Sequence, residues 1–208
     1  EIKEMALGNR KIGLGVMGWA ELLILLEIAY DSEQAVQLAE HLMRFIQQKA
    51  KDTSIVLAKE RGVFANWEKS SYFPGMRIRN ATRTSIAPTG TISIIADTSS
   101  SIEPLFALAF QRHHVLNDET LFSGNPLFIK YLKTHNLYSE KVQEQFMREG
   151  VAGQILELPV TVKNIFKTAL EISPFWHLQH QLAFQKYSYN AVSKTFNLPE
   201  KTCVKEVA

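Results

Sequence analysis

The run Thr84-Ser85-Ile86-Ala87-Pro88-Thr89-Gly90-Thr91-Ile92-Ser93 decides how the chain is read. With Thr82, the β-branched residues Thr84 and Ile86 predict a short strand that Pro88 and Gly90 end. If a helix opens there, its first amide groups point outward with the positive end of the dipole. Glycine allows unusual dihedrals, and the hydroxyls of Thr89, Thr91 and Ser93 add donors. Pro88, Thr89, Gly90, Thr91, Ile92 and Ser93 would then form an anion site. No lysine follows Gly90, so the run is not a Walker loop. An ordinary strand-to-helix turn capped by Thr89 or Thr91 fits the same spacing, and both readings stay open on spacing alone.

Upstream, apolar residues at Ala35, Leu38, Leu42, Phe45, Ile46, Ala50, Val56 and Leu57 predict a long helix. Asp31 with Gln34 reads as its N-terminal cap box and Gly62 as its stop. Trp19 to Leu26 predicts a shorter helix, and residues 63–79 have the composition of a packed loop around Trp67, Tyr72 and Phe73. Downstream, Ser139 predicts a helix through Arg148. Pro159 to Ile172 predicts another, and Ser173-Pro174 opens a third to about Tyr187. Residues 191–198 alternate, with Val192, Phe196 and Leu198 on one side and Ser193, Thr195 and Asn197 on the other. That polar side faces water on an edge strand or a ligand in a barrel. Helices alternating with short strands, without repeat or linker, predict one α/β domain over 1–208.

The chain has 208 residues, 46% hydrophobic and 21% charged, with formal net charge +2. That balance argues against nucleic acid or an anionic membrane as partner, since phosphate binding needs a concentrated basic patch. One cysteine, Cys203, excludes an internal disulfide and a Cys-based zinc site, which fits a cytoplasmic protein. The first residue is Glu1 and no signal-peptide succession follows, so a processed or partial polypeptide is expected.

Gly13-Leu14-Gly15-Val16-Met17-Gly18 matches the GxGxxG of dinucleotide-binding folds. Only Lys11 and Ile12 are available for the preceding strand, and Asp31 reads as a cap, so close packing before the Trp19 helix is the favoured reading. A nicotinamide dehydrogenase is kept as an alternative that would depend on Gly15. His113-His114 lacks a third ligand, and adjacent residues of a strand point apart. His177 and His180 share a helix face and are expected to be partly exposed. Glu103 is read as a group that orients the 88–93 loop or as a surface acid, and Phe175-Trp176 as core.

The run Asn80-Ala-Thr-Arg-Thr-Ser-Ile-Ala-Pro-Thr-Gly-Thr-Ile-Ser93, followed by Asp97-Thr-Ser-Ser-Ser-Ile-Glu-Pro-Leu-Phe106, closely resembles the large catalytic chain of ribonucleotide reductases. Its APTGTIS form resembles the adenosylcobalamin-dependent class II group. Arg10-Lys-Ile-Gly-Leu-Gly-Val-Met-Gly18, Phe184-Gln-Lys-Tyr187 and Asn190-Ala-Val-Ser-Lys-Thr195 agree in order. The resemblance implies part of a ten-stranded α/β barrel that reduces a ribonucleotide at its 2′ carbon by thiyl-radical chemistry. It implies that residues 88–93 cradle the substrate phosphates and that Ser193, Thr195 and Asn197 face the barrel interior. It further implies adenosylcobalamin in the whole enzyme, and as partners a ribonucleotide and the N-terminal remainder of that enzyme; half a barrel would expose apolar strand edges and helix faces, which predicts a homo-oligomer or another partner.

Three features depart from the family pattern. The radical cysteine of an Asn-x-Cys-x-Glu motif and the reducing cysteine pair are absent, and Cys203 stands where no catalytic cysteine is expected. Ser101 replaces a usual glycine, and Tyr189 a usual acid. The 208 residues are therefore expected to be a C-terminal portion that holds substrate without the radical machinery. The alternative is a non-catalytic nucleotide- or phosphate-binding module.

Overall fold

The computed structural model describes residues 1–115, 119–198 and 202, with the side chains of 110–123 outside that description. In chain order the helices are α1 (Ile2–Asn9), α2 (Trp19–Leu25), α3 (Glu33–Arg61), α4 (Gly90–Ile95), α5 (Pro126–Thr134), α6 (Glu140–Glu149), α7 (Val160–Ile165) and α8 (Pro174–Gln185). Strands β1 (Ala109–Val115) and β2 (Glu119–Gly124) form an antiparallel hairpin between α4 and α5.

Three extended segments run side by side and in parallel. Leu14 bridges Thr84, and Ile86 bridges Val192. Leu14 N–H donates to the Arg83 carbonyl and Ser85 N–H to that of Leu14; across the other edge, Ile86 N–H donates to Ala191 and Ser193 N–H to Ile86. Ile86 and Val192 turn inward to a core shared with Trp19 and Leu23 of α2, Ala35, Ala39 and Met43 of α3, and Ala183 and Phe184 of α8. The opposite face carries Gly13, Gly15 and Ser85. A Cβ at Gly15 would collide with the Ser85 carbonyl oxygen, and one at Gly13 would come within 2.9 Å of the Ser85 Cβ. The GxGxxG is thus a strand-packing device, and Gly18, at φ 78°, makes the left-handed turn into α2.

Helix α2 is amphipathic in two directions. Trp19 and Leu23 enter the first core, while Ala20 and Ile24 enter a second with Phe128 and Leu132 of α5, Phe146 of α6, Val162 of α7 and Phe166. A third cluster of Phe64, Trp67 and Ile78 holds the 63–79 loop.

The expected ten-stranded barrel is not closed among the described residues; the parallel part is this three-segment ladder. Each segment is cut short locally. Pro88 follows Ile86, and beyond Val192 the chain turns to side-chain partners, so the predicted strand over 191–198 bridges only at Val192. The cap of α3 is Ser32, whose hydroxyl accepts the Ala35 N–H. Asp31 instead pairs with Lys167 at 2.5 Å. Phe45 and Val56 lie exposed on α3, whose core side carries Ala35, Ala39 and Met43 with Leu38, Leu42 and Ile46 packed beside them. The helix predicted from Pro159 to Ile172 ends at Ile165, because Ala169 N–H donates to Leu105 and Thr168 bonds the Glu171 carboxylate. Phe175 is exposed, while Trp176 packs on the first core.

His177 and His180 are fully buried, not partly exposed. His180 accepts the Trp19 indole N–H at Nδ1 (3.2 Å), so its proton sits on Nε2 and is donated to the Tyr30 carbonyl (2.9 Å). Burial pushes its pKa down to about 4. His177 shifts the same way, through burial first and the Lys194 charge second. Because the folded state holds neutral imidazoles, their stabilising contribution is complete above the unfolded pKa of about 6.5 and is lost as pH falls toward 4. Urea titrations of the chain across that window should show a loss on the order of 3 kcal/mol from His180. His180→Gln should flatten the slope; an unchanged slope would contradict the assigned protonation state.

Ser101 sits at φ 46° with a buried hydroxyl that has no hydrogen-bond partner. Glycine removes both penalties at some cost in unfolded-state entropy. Ser101→Gly should therefore raise unfolding free energy by about 1 kcal/mol, measured by denaturant midpoint at constant slope.

Candidate functional site at the carboxyl ends of the parallel segments

A parallel ladder places all its carboxyl ends on one side, which is where open α/β sheets bind ligands. Here those ends are Gly15 to Gly18, the 88–93 loop and residues 194–197. All three converge on the segment 98–103. Gly18 N–H donates to the Ser99 carbonyl (2.7 Å) and Trp19 N–H to that of Ser101 (3.4 Å). Ser101 N–H donates to Thr89 Oγ1 (2.8 Å), and the Tyr30 hydroxyl donates to the Ile102 carbonyl (2.7 Å). Glu103 reaches the third end.

In the loop itself, Thr89 adopts φ 52°, a left-handed conformation, and stands before the first residue of α4. Its hydroxyl does not cap α4 but serves Ser101. Its carbonyl accepts the Ser93 N–H, and the Ser93 hydroxyl donates to the Gly90 carbonyl. Ser93 is buried, whereas Pro88, Gly90, Thr91 and Ile92 are exposed. A Cβ placed on Gly90 meets no atom within 4 Å. The amides of Gly90, Thr91 and Ile92 belong to the first turn of α4, where no carbonyl lies four residues back within the helix. Of the six predicted loop residues, Gly90, Thr91 and Ile92 carry exposed first-turn amides, whereas the hydroxyls of Thr89 and Ser93, expected to add donors for an anion, are engaged within the fold by Ser101 and Gly90.

Beside this turn lies a polar cluster. Lys194 Nζ donates to Glu103 Oε2 (2.5 Å), His177 Nδ1 (2.8 Å) and the Thr195 carbonyl (2.7 Å). Glu103 Oε1 accepts the Thr195 N–H (2.7 Å), and His177 Nε2 donates to the Ala169 carbonyl (3.3 Å). The Lys194 side chain is wholly buried. Burial lowers its pKa, and the Glu103 carboxylate opposes that shift. Glu103 is thus no free surface acid. Tyr30 carries no sequence signal of belonging to a site and Lys194 only its place in the Asn190–Thr195 motif; the fold brings residues 30, 103, 177 and 194 together.

Of the three residues expected to face a barrel interior, Ser193 follows core-facing Val192 and the pleat turns it away from the helices. Thr195 is exposed and Asn197 half-buried beyond the last bridge. His113 and His114 lie in β1 with side chains outside the described residues, and Cys203 lies outside the described residues altogether. Among the described residues no group of three or more His, Cys, Asp or Glu could hold a metal ion, and no helix is long and apolar enough to cross a membrane.

Comparison with known proteins identifies the family. The family model "Ribonucleotide reductase, barrel domain" matches residues 1–78 and 75–208. A vitamin B12-dependent ribonucleoside-diphosphate reductase of Thermoplasma acidophilum is 46% identical over 209 residues, covering 100% of this chain and 27% of that protein. One of Mycobacterium tuberculosis is 46% identical over 207 residues, covering 100% of this chain and 30% of its own length. The solved Actinobacillus ureae class Id ribonucleotide reductase alpha subunit superposes with TM-score 0.74 at 30% identity, over 89% of this chain and 32% of the subunit. The chain spans less than a third of each of these proteins. Its ladder, its loop and its motifs together make it a member of the ribonucleotide reductase barrel-domain family.

Proposed function

We propose that the chain is a C-terminal portion of the catalytic barrel of a B12-dependent ribonucleotide reductase, and that residues 88–93 hold the substrate phosphates. The observation that carries this reading is the open turn at the carboxyl end of the 82–86 segment. Exposed first-turn amides and the Thr91 hydroxyl stand around a glycine with free space before it. The B12-dependent relatives are ribonucleoside-diphosphate reductases by name, so a ribonucleoside diphosphate is the substrate we assign.

The loop's part is positioning. Fixing the phosphates fixes the ribose, and a displacement of about 1 Å at the reacting carbon can cost on the order of 10²-fold in rate. Ser193, Thr195 and Asn197 are assigned to the interior side that a closed barrel would offer the nucleotide. Adenosylcobalamin, which the family resemblance implies for the whole enzyme, would supply the radical there, while the residues of this chain hold and orient the nucleotide. Exposed apolar side chains such as Ile94, Ile95, Phe106, Leu156 and Leu170 suit a surface covered by the rest of the reductase, as substrate barrel and cofactor region must meet.

Two measurements test the reading. Gly90→Val adds a side chain where this chain offers no obstruction, so the fold should persist while the phosphate space fills. In the full-length reductase, KM for a ribonucleoside diphosphate should rise about 10- to 100-fold, the worth of one or two hydrogen bonds to a charged group. An unchanged KM would remove the loop from the account. Second, the isolated 208 residues should form no deoxynucleotide when supplied with cobalamin cofactor, reductant and nucleotide. Thiyl-radical reduction needs several cysteines, and the chain has one.

A further inference from the structure

Lys194 is a buried lysine at the carboxyl end of a parallel segment, close in the fold to the proposed phosphate loop. Phosphate contact would be the simplest role for such a cation, but its hydrogen bonds exclude it. An ammonium has three protons, and all three are placed: on Glu103 Oε2, on His177 Nδ1 and on the Thr195 carbonyl. Both Glu103 oxygens are likewise occupied, by Lys194 and by the Thr195 N–H. The pair is closed to a ligand and joins two pieces of backbone, residues 98–103 and residues 194–195.

The first of these pieces bears directly on the loop. Two residues before Glu103, Ser101 donates its N–H to Thr89 Oγ1, and both Ser101 and Thr89 are held in left-handed conformations at φ 46° and 52°. Non-glycine residues keep such dihedrals when their surroundings over-determine them. Thr89 sets the direction in which α4 begins, and hence where the amides of Gly90, Thr91 and Ile92 point.

We infer that Glu103 and Lys194 are positioning residues for the phosphate-binding turn, acting through the Ser101–Thr89 hydrogen bond. This inference rests on the reading of residues 88–93 as the phosphate loop. The ion pair locks the 98–103 segment against the third parallel segment, Tyr30 holds Ile102 between them, and the Ser101 amide then fixes Thr89. Loss of either charge frees Ser101, and the turn loses its aim without losing any of its own donors.

The test uses the full-length reductase with Glu103→Gln, Lys194→Met and the double variant, in which no charge is left buried without its partner. The expected result is a KM for ribonucleoside diphosphate raised roughly 10-fold or more. The inhibition constant of the matching ribonucleoside, which has no phosphates, stays unchanged, and melting stays cooperative. In a Thr89→Ala background, Glu103→Gln should add little, because the route through Thr89 is already cut. An unchanged KM in the double variant overturns the inference. So does an equal weakening of nucleoside and nucleotide, which would mark a general structural role. Gly90→Val separates the two levels: if it leaves KM unchanged, the phosphate-loop reading itself fails, and if it raises KM while the double variant does not, only the positioning role fails.

Discussion

The arrangement depends on how closely the 13–15 segment approaches Ser85. Gly15 has no Cβ, and any side chain there would meet the Ser85 carbonyl oxygen. That bare α-carbon lets Leu14 exchange hydrogen bonds with Arg83 and Ser85 on one edge while Ile86 bonds Ala191 and Ser193 on the other. With one bridge per edge among the described residues, the ladder has little hydrogen-bond cooperativity of its own. It is held from behind by the apolar contact of Ile86 and Val192 with α2, α3 and α8. Each buried aliphatic side chain contributes about 1.5–3 kcal/mol. Hydrophobic packing thus keeps the three segments parallel, and parallelism brings their carboxyl ends together.

Those ends are then tied by polar groups, and the tie is a backbone segment, not a single side chain. Residues 98–103 accept or donate hydrogen bonds to Gly18, Trp19, Tyr30, Thr89 and, through Glu103, Lys194 and Thr195. Burying a lysine without a partner would cost several kcal/mol, so its presence requires Glu103, His177 and the Thr195 carbonyl together. The buried histidines fit the same logic. Neutral His177 offers Nδ1 as an acceptor to Lys194, and neutral His180 offers Nδ1 to Trp19.

Local chemistry made part of this legible in the sequence. The strand-to-turn signal at 84–93, Ser139 before α6 and Ser173-Pro174 before α8 are written within a few residues of the feature they specify. The motif order carries the family resemblance, and the phosphate role proposed for the loop comes from that resemblance. What was not legible depends on partners far along the chain. Asp31 satisfies every rule for a cap, yet Lys167 takes it and Ser32 caps instead. The apolar period of residues 159–172 continues past Ile165, yet the Leu105 carbonyl draws Ala169 away. Two histidines at helical spacing do not reveal whether a tryptophan and a lysine will meet them. Helix α5 is specified just as locally, by Asn125 accepting the amides of Leu127 and Phe128, by Pro126 at its first position and by Phe128 and Leu132 at helical spacing.

Two of the departures from the family pattern, Tyr189 and Ser101, show how substitution is absorbed beside the turn. Where the family has an acid, Tyr189 lays its ring 4.0 Å from the Arg83 guanidinium carbon. Arg83 is fully buried, donating to the Asn80 carbonyl while its Nε and Nη2 have no partner. A desolvated cation over an aromatic face recovers about 2 kcal/mol, part of what a carboxylate would supply, and it keeps the guanidinium in place. Ser101 tolerates the left-handed conformation of a glycine because its N–H, common to every residue but proline, makes the bond to Thr89. In both cases the group that the neighbouring structure uses, a guanidinium position or a backbone amide, is preserved while the side chain that usually accompanies it has changed. The carboxyl end of the ladder is therefore specified by backbone position more than by side-chain identity, which is why a turn of small and hydroxyl residues suits it.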